Sequence, residues 1–149
     1  MHFGLSEEQK MIVQTVRSFV ENEIYPHEEM VEQMGEVPAE IAEEIKQKTI
    51  DMGFYACNFD KTVGGAGLNH LEFALVEREL GRGSMALTHF FGRPQNILMA
   101  CGGDQREQYL LPAVRGEKMD ALAMTEPDAG SDVRSMKCRA VRDGGDWLV

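Results

Sequence analysis

The sequence has few of the residues that build disulfide frameworks, metal sites or membrane spans. Its three cysteines, Cys57, Cys101 and Cys138, are far apart and form no Cys-x-x-Cys pair, which predicts a cytoplasmic protein without disulfides or a zinc site. The four histidines never stand at His-x-x-x-His spacing, so no metal site is predicted. No stretch approaches the ~20 apolar residues of a membrane span, and the residues from Met1 to Ser6 lack the basic start and apolar core of a signal peptide.

Basic residues are scarce in the first half of the chain. The net charge is −10, and residues 1–80 hold 16 acidic and 6 basic side chains, whereas residues 81–149 hold 9 of each. An acidic half repels phosphate backbones, so nucleic acid is excluded as a partner and the acids are expected on a solvated helical face. A length of 149 residues allows one domain and part of a second.

The first two thirds of the sequence are predicted to be helical. Ser6-Glu7-Glu8-Gln9 has the form of a capping box, and the apolar residues behind it recur at steps of three and four. They predict a helix to about Tyr25, where Pro26 ends or bends it. Three more helices have similar periodicity or capping signals: Pro38–Gly53, Leu71–Leu80, which has a broad apolar face, and Asp104–Val114.

The segment from Ser84 to about Cys101 is nearly apolar on all sides, with Arg93 as its single charge. This pattern predicts the central helix of a bundle, interrupted at Gly92 and Pro94.

The pattern changes after Gly116. Ala121–Met124 is a short apolar run before a turn-forming string, and predicts a buried strand followed by a loop. Asp143-Gly144-Gly145-Asp146 predicts a hairpin turn into Trp147–Val149. We therefore expect a mainly α protein, with an all-α domain at residues 1–117 and, at 118–149, the beginning of a β domain.

Three features offer weak chemical signals. The cluster Val63–Gly67 lacks the Gly-Lys-Ser/Thr of a phosphate-binding loop, and a turn with positive φ explains it better. No Ser-His-Asp or Cys-His arrangement supports a nucleophile. Glu126 is a conceivable general base, but its place before Pro127 in a loop favours a structural role.

The string Met124–Asp132 is more specific than these features. A strand that ends in the Thr125 hydroxyl and a Gly-Ser turn presents unpaired backbone N–H groups and two hydroxyls along one edge. Such an edge suits a polar ring system with an attached phosphate.

The longer string Ala123–Asp132, Ala-Met-Thr-Glu-Pro-Asp-Ala-Gly-Ser-Asp, resembles the middle-domain signature of the acyl-CoA dehydrogenase family at every fixed position. The resemblance extends over nearly all of the chain. It includes three other segments: Leu5–Gln9, Val63–Gly67 and Asp104–Pro112.

The resemblance implies a helical bundle domain followed by the truncated beginning of a β-barrel-like domain, and FAD as cofactor. By the same resemblance, the backbone of Leu122, Ala123 and Met124 lies along the isoalloxazine ring and the Thr125 hydroxyl bonds its polar edge. Gly130 permits close approach, and Ser131 contacts the cofactor pyrophosphate or the pantetheine arm of the substrate. The helix carrying Gln95 to Met99 lines the acyl pocket, although a core role for its apolar residues is equally consistent.

The family reaction oxidises an acyl-CoA thioester to the trans-2-enoyl-CoA, as in fatty-acid β-oxidation, and passes electrons to an electron-transferring flavoprotein. The resemblance implies a homo-oligomer, tetramer or dimer, with no catalytic residue in this chain, since the base is expected after Val149. We therefore expect the chain alone to be inactive. The alternatives are a non-catalytic helical module that binds CoA thioesters or partners, and a flavin-dependent oxidase of the same superfamily.

Overall fold

A computed structural model describes residues 4–149 of the protein. Residues 1–3, which include His2, lie outside the described part. The prediction that Met1–Ser6 is no signal peptide therefore concerns partly these residues. Most helical elements lie before Arg115, and the segment that follows contains one 3-10 turn (Val133–Ser135) and one hairpin.

The first helix is longer than its sequence pattern predicts. Helix α1 (Glu7–Phe19) continues through a π-helical turn (Val20–Ile24) into α2 (Tyr25–Met34). The predicted capping box is confirmed, because the Ser6 hydroxyl accepts from the Gln9 N–H at 3.2 Å and the Gln9 side chain accepts from the Ser6 N–H at 3.0 Å.

Of the two effects expected of Pro26, ending the helix is wrong, since the helix continues to Met34. The π turn, closed by the Tyr25 N–H donating to the Val20 carbonyl, places Pro26 in the first turn of α2. A first turn needs no N–H from its own residues, so proline is tolerated there. The helix ends instead at Gly35, whose φ is +74°.

Helices α3 (Ala39–Asp51) and α4 (His70–Leu80) are confirmed at the predicted places. Helix α4 is capped by Asn69, whose side-chain oxygen accepts from the backbone of Leu71 and Glu72 at 3.0 Å each. Its buried face is narrower than predicted, since Leu71 is 54% exposed.

The interruption predicted at Gly92 and Pro94 is confirmed, and the segment from Ser84 to Cys101 contains only short helical pieces. It consists of the short α5 (Met85–Thr88), a 3-10 turn (His89–Phe91) and a second 3-10 turn (Asn96–Ala100), separated by an irregular stretch. The cause is local, because Gly92 has φ of +78° and Pro94 lacks an N–H. A π turn (Arg106–Leu110) and α6 (Leu111–Val114) complete the helical part.

Two apolar clusters hold these elements together. Phe91, at the end of the broken segment, is fully buried and meets the Phe19 ring edge-on at 5.3 Å between centroids. The larger cluster joins α1, α3 and α4, and the smaller one packs the glycine turn against the last helical segment. The larger cluster consists of Ile12, Val16, Phe19, Val20, Ile24, Val31, Ile45, Cys57, Val76, Leu80, Leu87 and Phe91, and the smaller one of Ala56, Phe59, Val63, Leu110 and Val114.

The last segment contains one hairpin. Strands β1 (Val141–Asp143) and β2 (Asp146–Leu148) pair antiparallel through the predicted turn at Gly144 and Gly145, which is confirmed. The expected buried strand at Ala121–Met124 is wrong, since these residues are exposed and pair with no other segment of residues 4–149.

Candidate functional site

The string Ala123–Asp132 forms a closed turn held by Glu126. The Glu126 N–H donates to the Ala129 carbonyl at 2.9 Å, and the Ala129 N–H donates back at 3.2 Å. The two carboxylate oxygens of Glu126 accept from the backbone N–H groups of Lys137 at 2.8 Å and Cys138 at 3.0 Å. Both oxygens are therefore occupied, in agreement with the structural role predicted for this residue.

The Asp132 carboxylate is also used inside the turn. One oxygen accepts from the Arg134 N–H at 3.2 Å and the other from the Ser135 hydroxyl. Thr125, Gly130 and Ser131 are exposed as well. A side chain at Gly130 would meet nothing within 4 Å, so the backbone there is open to close approach. The Glu126 and Asp132 carboxylates thus accept hydrogen bonds from residues 134–138, and the Thr125 and Ser131 hydroxyls are exposed.

The residues just before this turn form an exposed apolar strip. Leu122 is 60% and Met124 is 41% exposed. The backbone N–H groups of residues 122–125 donate to no acceptor within residues 4–149. Apolar side chains beside unpaired N–H groups and a hydroxyl fit one side of a flat ring with a polar edge, such as a flavin. The six residues predicted to bind the cofactor thus lie within one short exposed segment.

The glycine cluster is a turn in which the glycine N–H groups are used within the backbone. Gly64 and Gly67 have φ of +97° and +68°, which confirms the predicted positive φ. The N–H groups of Gly64, Gly65 and Gly67 donate at 2.8 to 3.1 Å to the backbone carbonyls of Lys61, Asp60 and Phe59, respectively.

A cleft of about 370 Å³ lies beside α4 and the irregular stretch 92–95. Its volume falls within the range of small-molecule pockets. Gly92 shapes one wall, since a Cβ there would lie 1.8 Å from the Tyr55 ring. Burial raises the pKa of the Tyr55 hydroxyl, with a smaller effect of Asp120. The lining residues are Tyr55, Asn58, Phe73, Glu77, His89, Gly92, Arg93, Pro94, Gln95, Asn96, Met119 and Asp120.

Gln95 belongs to this cleft and not to the exposed strip. Its backbone N–H donates to the Asp120 carboxylate at 2.9 Å, which ties the cleft wall to the segment that leads into Leu122. Residues 95–99 are not a regular core helix, because Ile97 is 71% exposed and Met99 47%.

Sequence reasoning did not assign Asn58 or Arg93 to a site. The Arg93 guanidinium lies 2.7 Å from Glu77 Oε1 and donates to the Thr88 carbonyl at 3.0 Å. This 2.7 Å contact is an ion pair but not a hydrogen bond, because the N–H of Arg93 is not aligned with Glu77 Oε1. Glu77 Oε1 therefore has no hydrogen-bond partner among the described residues. The available signal was that Arg93 is the single charge in its apolar segment.

The cysteines and histidines of the described residues form no metal centre. Cys57 is fully buried, and this burial raises the pKa of its thiol to about 11. Within residues 4–149, no three His, Cys, Asp or Glu side chains are grouped to hold a metal ion.

The sequence pattern of the acyl-CoA dehydrogenase N-terminal domain matches residues 6–117. The chain is 34% identical to the mitochondrial isovaleryl-CoA dehydrogenase of Pongo abelii, over 98% of this chain and 35% of that protein. It is also 34% identical to the caffeyl-CoA reductase-Etf complex subunit CarC of Acetobacterium woodii, over 97% of this chain and 38% of that protein. The structure resembles a glutaryl-CoA dehydrogenase from Mycobacterium smegmatis in complex with FADH2, with a TM-score of 0.75 and 26% identity, over 96% and 37% of the two chains.

The chain thus spans between a third and two fifths of the length of each of these three proteins. Among the described helices, none is long and apolar enough to cross a membrane.

Proposed function

The chain belongs to the acyl-CoA dehydrogenase family, and we propose that it is part of an FAD-dependent enzyme that oxidises an acyl-CoA thioester to the trans-2-enoyl-CoA. The observation that carries the proposal is the string Ala123–Asp132. Its Glu126 carboxylate accepts hydrogen bonds from the backbone of Lys137 and Cys138, and the Thr125 and Ser131 hydroxyls are exposed beside an apolar strip.

In this proposal, the backbone of Leu122, Ala123 and Met124 supports the isoalloxazine ring. The Thr125 hydroxyl bonds the ring's polar edge, where a correctly placed donor orients the cofactor. Gly130 allows close approach of the backbone, and Ser131 binds the pyrophosphate or the pantetheine arm. When bound, FAD supplies the acceptor for the hydride that leaves the substrate.

The chain contributes binding and orientation but no catalytic base. The one carboxylate in the string that is tempting as a base, Glu126, already accepts two backbone hydrogen bonds. We therefore propose that the base lies after Val149. This chain covers only 35% of the isovaleryl-CoA dehydrogenase of Pongo abelii. We also propose that residues 1–117 form the helical domain and 118–149 begin the flavin-binding β domain.

The partners follow from the same family membership. We propose an acyl-CoA substrate, with Gln95 at the acyl pocket, and an electron-transferring flavoprotein as acceptor. The similarity to a subunit of a reductase-Etf complex supports the second partner. We further propose a cytoplasmic homo-oligomer with a role in fatty-acid β-oxidation.

The test is to isolate the protein that carries this chain at its native length. It should be yellow and should reduce a dye with an acyl-CoA, whereas the 149-residue chain should be inactive. Removing the hydroxyl in Thr125→Val should weaken FAD binding about tenfold, since one hydrogen bond to the ring is lost.

The matched control is Thr15→Val, on the exposed face of α1, which should leave FAD binding unchanged. A colourless protein that ignores CoA thioesters would refute the proposal. Hydrogen peroxide release in air would identify an oxidase instead of a dehydrogenase.

A further inference from the structure

The cleft beside α4 presents polar and apolar surface in similar amounts. Asn58, His89, Gln95 and Asn96 are among its neutral polar residues. An aliphatic chain that filled this space would cover polar groups without pairing them, which costs free energy.

The one guanidinium group of the cleft is already used. Of the lining residues, Arg93 alone carries a guanidinium or ammonium group, and it is occupied by Glu77 and by the Thr88 carbonyl. The Asp120 carboxylate accepts the Gln95 N–H. A ligand carboxylate would have to displace Glu77 from Arg93, so the cleft is poorly suited to an anionic group.

Asn58 provides an acceptor with no partner. Its amide nitrogen donates to the Pro94 carbonyl at 2.9 Å and to Asn96 Oδ1 at 2.8 Å, which fixes the orientation of the side chain. Its own Oδ1 is buried and accepts no hydrogen bond within the described chain. A buried acceptor without a donor costs free energy. A ligand that donates a hydrogen bond to it removes this cost and binds more tightly.

The position of the cleft connects it to the proposed flavin strip. Met119 and Asp120 line the cleft, and Leu122 begins the strip two residues later. An acyl group that occupies the cleft therefore lies near the segment assigned to the cofactor.

We propose that this cleft receives the end of the acyl chain and selects acyl groups with a neutral hydrogen-bond donor, such as a hydroxyl group. The donor turns the exposed Asn96 side chain aside and bonds Asn58 Oδ1. This inference rests on the proposed function for the thioester part of the ligand, and adds the substrate class.

The test compares three pantetheine thioesters of equal chain length that end in different groups: 6-hydroxyhexanoyl, hexanoyl and adipoyl. Their affinities for the ¹⁵N-labelled 149-residue chain are measured by NMR titration, following the side-chain amides of Asn58 and Asn96. The hydroxyl-ended probe should bind about tenfold more tightly than either of the others.

Two variants isolate the acceptor. Asn58→Ala should reduce the affinity of the hydroxyl-ended probe to that of hexanoyl. Asn96→Ala removes the acceptor that Asn58 Nδ2 bonds but leaves Asn58 Oδ1 in place. This variant should retain the preference for the hydroxyl-ended probe. Equal binding of the three probes, no binding, a preference for adipoyl, or a preference that survives Asn58→Ala would overturn the inference.

If Asn58→Ala does not fold, the comparison of the three probes on the unaltered chain decides. The readout uses neither flavin nor turnover, so failure of the proposed dehydrogenase activity leaves the comparison intact. A yellow, active protein whose chain prefers hexanoyl would refute the cleft inference alone.

Discussion

Cys57 illustrates how a single buried side chain loses reactivity. Burial raises the pKa of its thiol to about 11, so almost no thiolate is present at neutral pH. We expect a disulfide reagent at pH 7.5 to label the exposed Cys138 rapidly and Cys57 only after denaturation. Mass spectrometry of labelled peptides provides the measurement, and labelling of both residues at equal rates in the folded protein would contradict it.

Glu79 is the only fully buried carboxylate among the described residues, and it joins α4 to α1. Arg17 donates to it at 2.9 and 3.2 Å, and the Arg78 Nε donates at 2.9 Å. The hydrogen bond from Arg17 is the largest influence that holds the pKa of Glu79 below its ordinary value of 4.5.

Replacing Glu79→Gln should lower the free energy of unfolding at pH 7 by about 1.5–3 kcal/mol, the range for hydrogen bonds to charged groups. Because the pKa is lowered on folding, the stability that Glu79 contributes is complete above the ordinary value of 4.5 and is lost as the pH falls through the folded value. In urea unfolding, the difference in free energy of unfolding between the unaltered protein and Glu79→Gln should therefore become smaller as the pH falls below 4.5. The exposed pair of Lys10 with Glu7 gives the control, since Glu7→Gln should change stability by less than about 0.5 kcal/mol.

At the scale of elements, the irregular stretch after α5 depends on Gly92. Its φ is +78°, and a Cβ there would lie 1.8 Å from the Tyr55 ring. Gly92→Ala should cost about 3 kcal/mol or more, because steric overlap adds to backbone strain.

The matched control is Gly35→Ala. Gly35 has nearly the same φ, +74°, but a Cβ there meets nothing within 4 Å. It should cost about 1–2 kcal/mol, the strain alone. Thermal unfolding of both variants separates the cost of steric overlap with Tyr55 from the cost of backbone strain. Equal losses of stability in the two variants would show that the contact with Tyr55 is unimportant.

The elements also show what the sequence could predict. Capping residues and apolar periodicity act locally, so the starts of α1, α3 and α4 were predicted correctly from Ser6, Pro38 and the run after Asn69. The π turn before Pro26 was missed because a change from i−4 to i−5 hydrogen bonding leaves no clear mark on the apolar pattern.

The candidate site was predictable only in part. The string Ala123–Asp132 is contiguous, so its residues could be named from the sequence. The cleft was not found, because it joins Asn58, Arg93 and Asp120 from distant parts of the chain. Their proximity depends on the path of the chain after the predicted interruption at Gly92, which the sequence pattern does not specify.

At the scale of the whole molecule, the chain divides into a packed part and an exposed part. From Asp132 to Val149 every residue is exposed, whereas the stretch from the start of α1 to the end of α6, with its turns and loops, holds nearly all of the buried side chains. We expect limited trypsin digestion to cut first at Arg134, Lys137 or Arg139 and to leave a resistant helical fragment. Fragment masses would show this, and early cleavage at Arg17 or Lys48 would contradict it.

The β1–β2 hairpin has a consequence for spectroscopy. It carries the sole tryptophan of the sequence, Trp147, which is 61% exposed and lies 5.5 Å from the Arg142 guanidinium. Emission excited at tryptophan wavelengths therefore reports on a surface hairpin and not on the helical core. A melting curve followed by this emission would record the hairpin opening, while circular dichroism at helical wavelengths would follow the loss of the core.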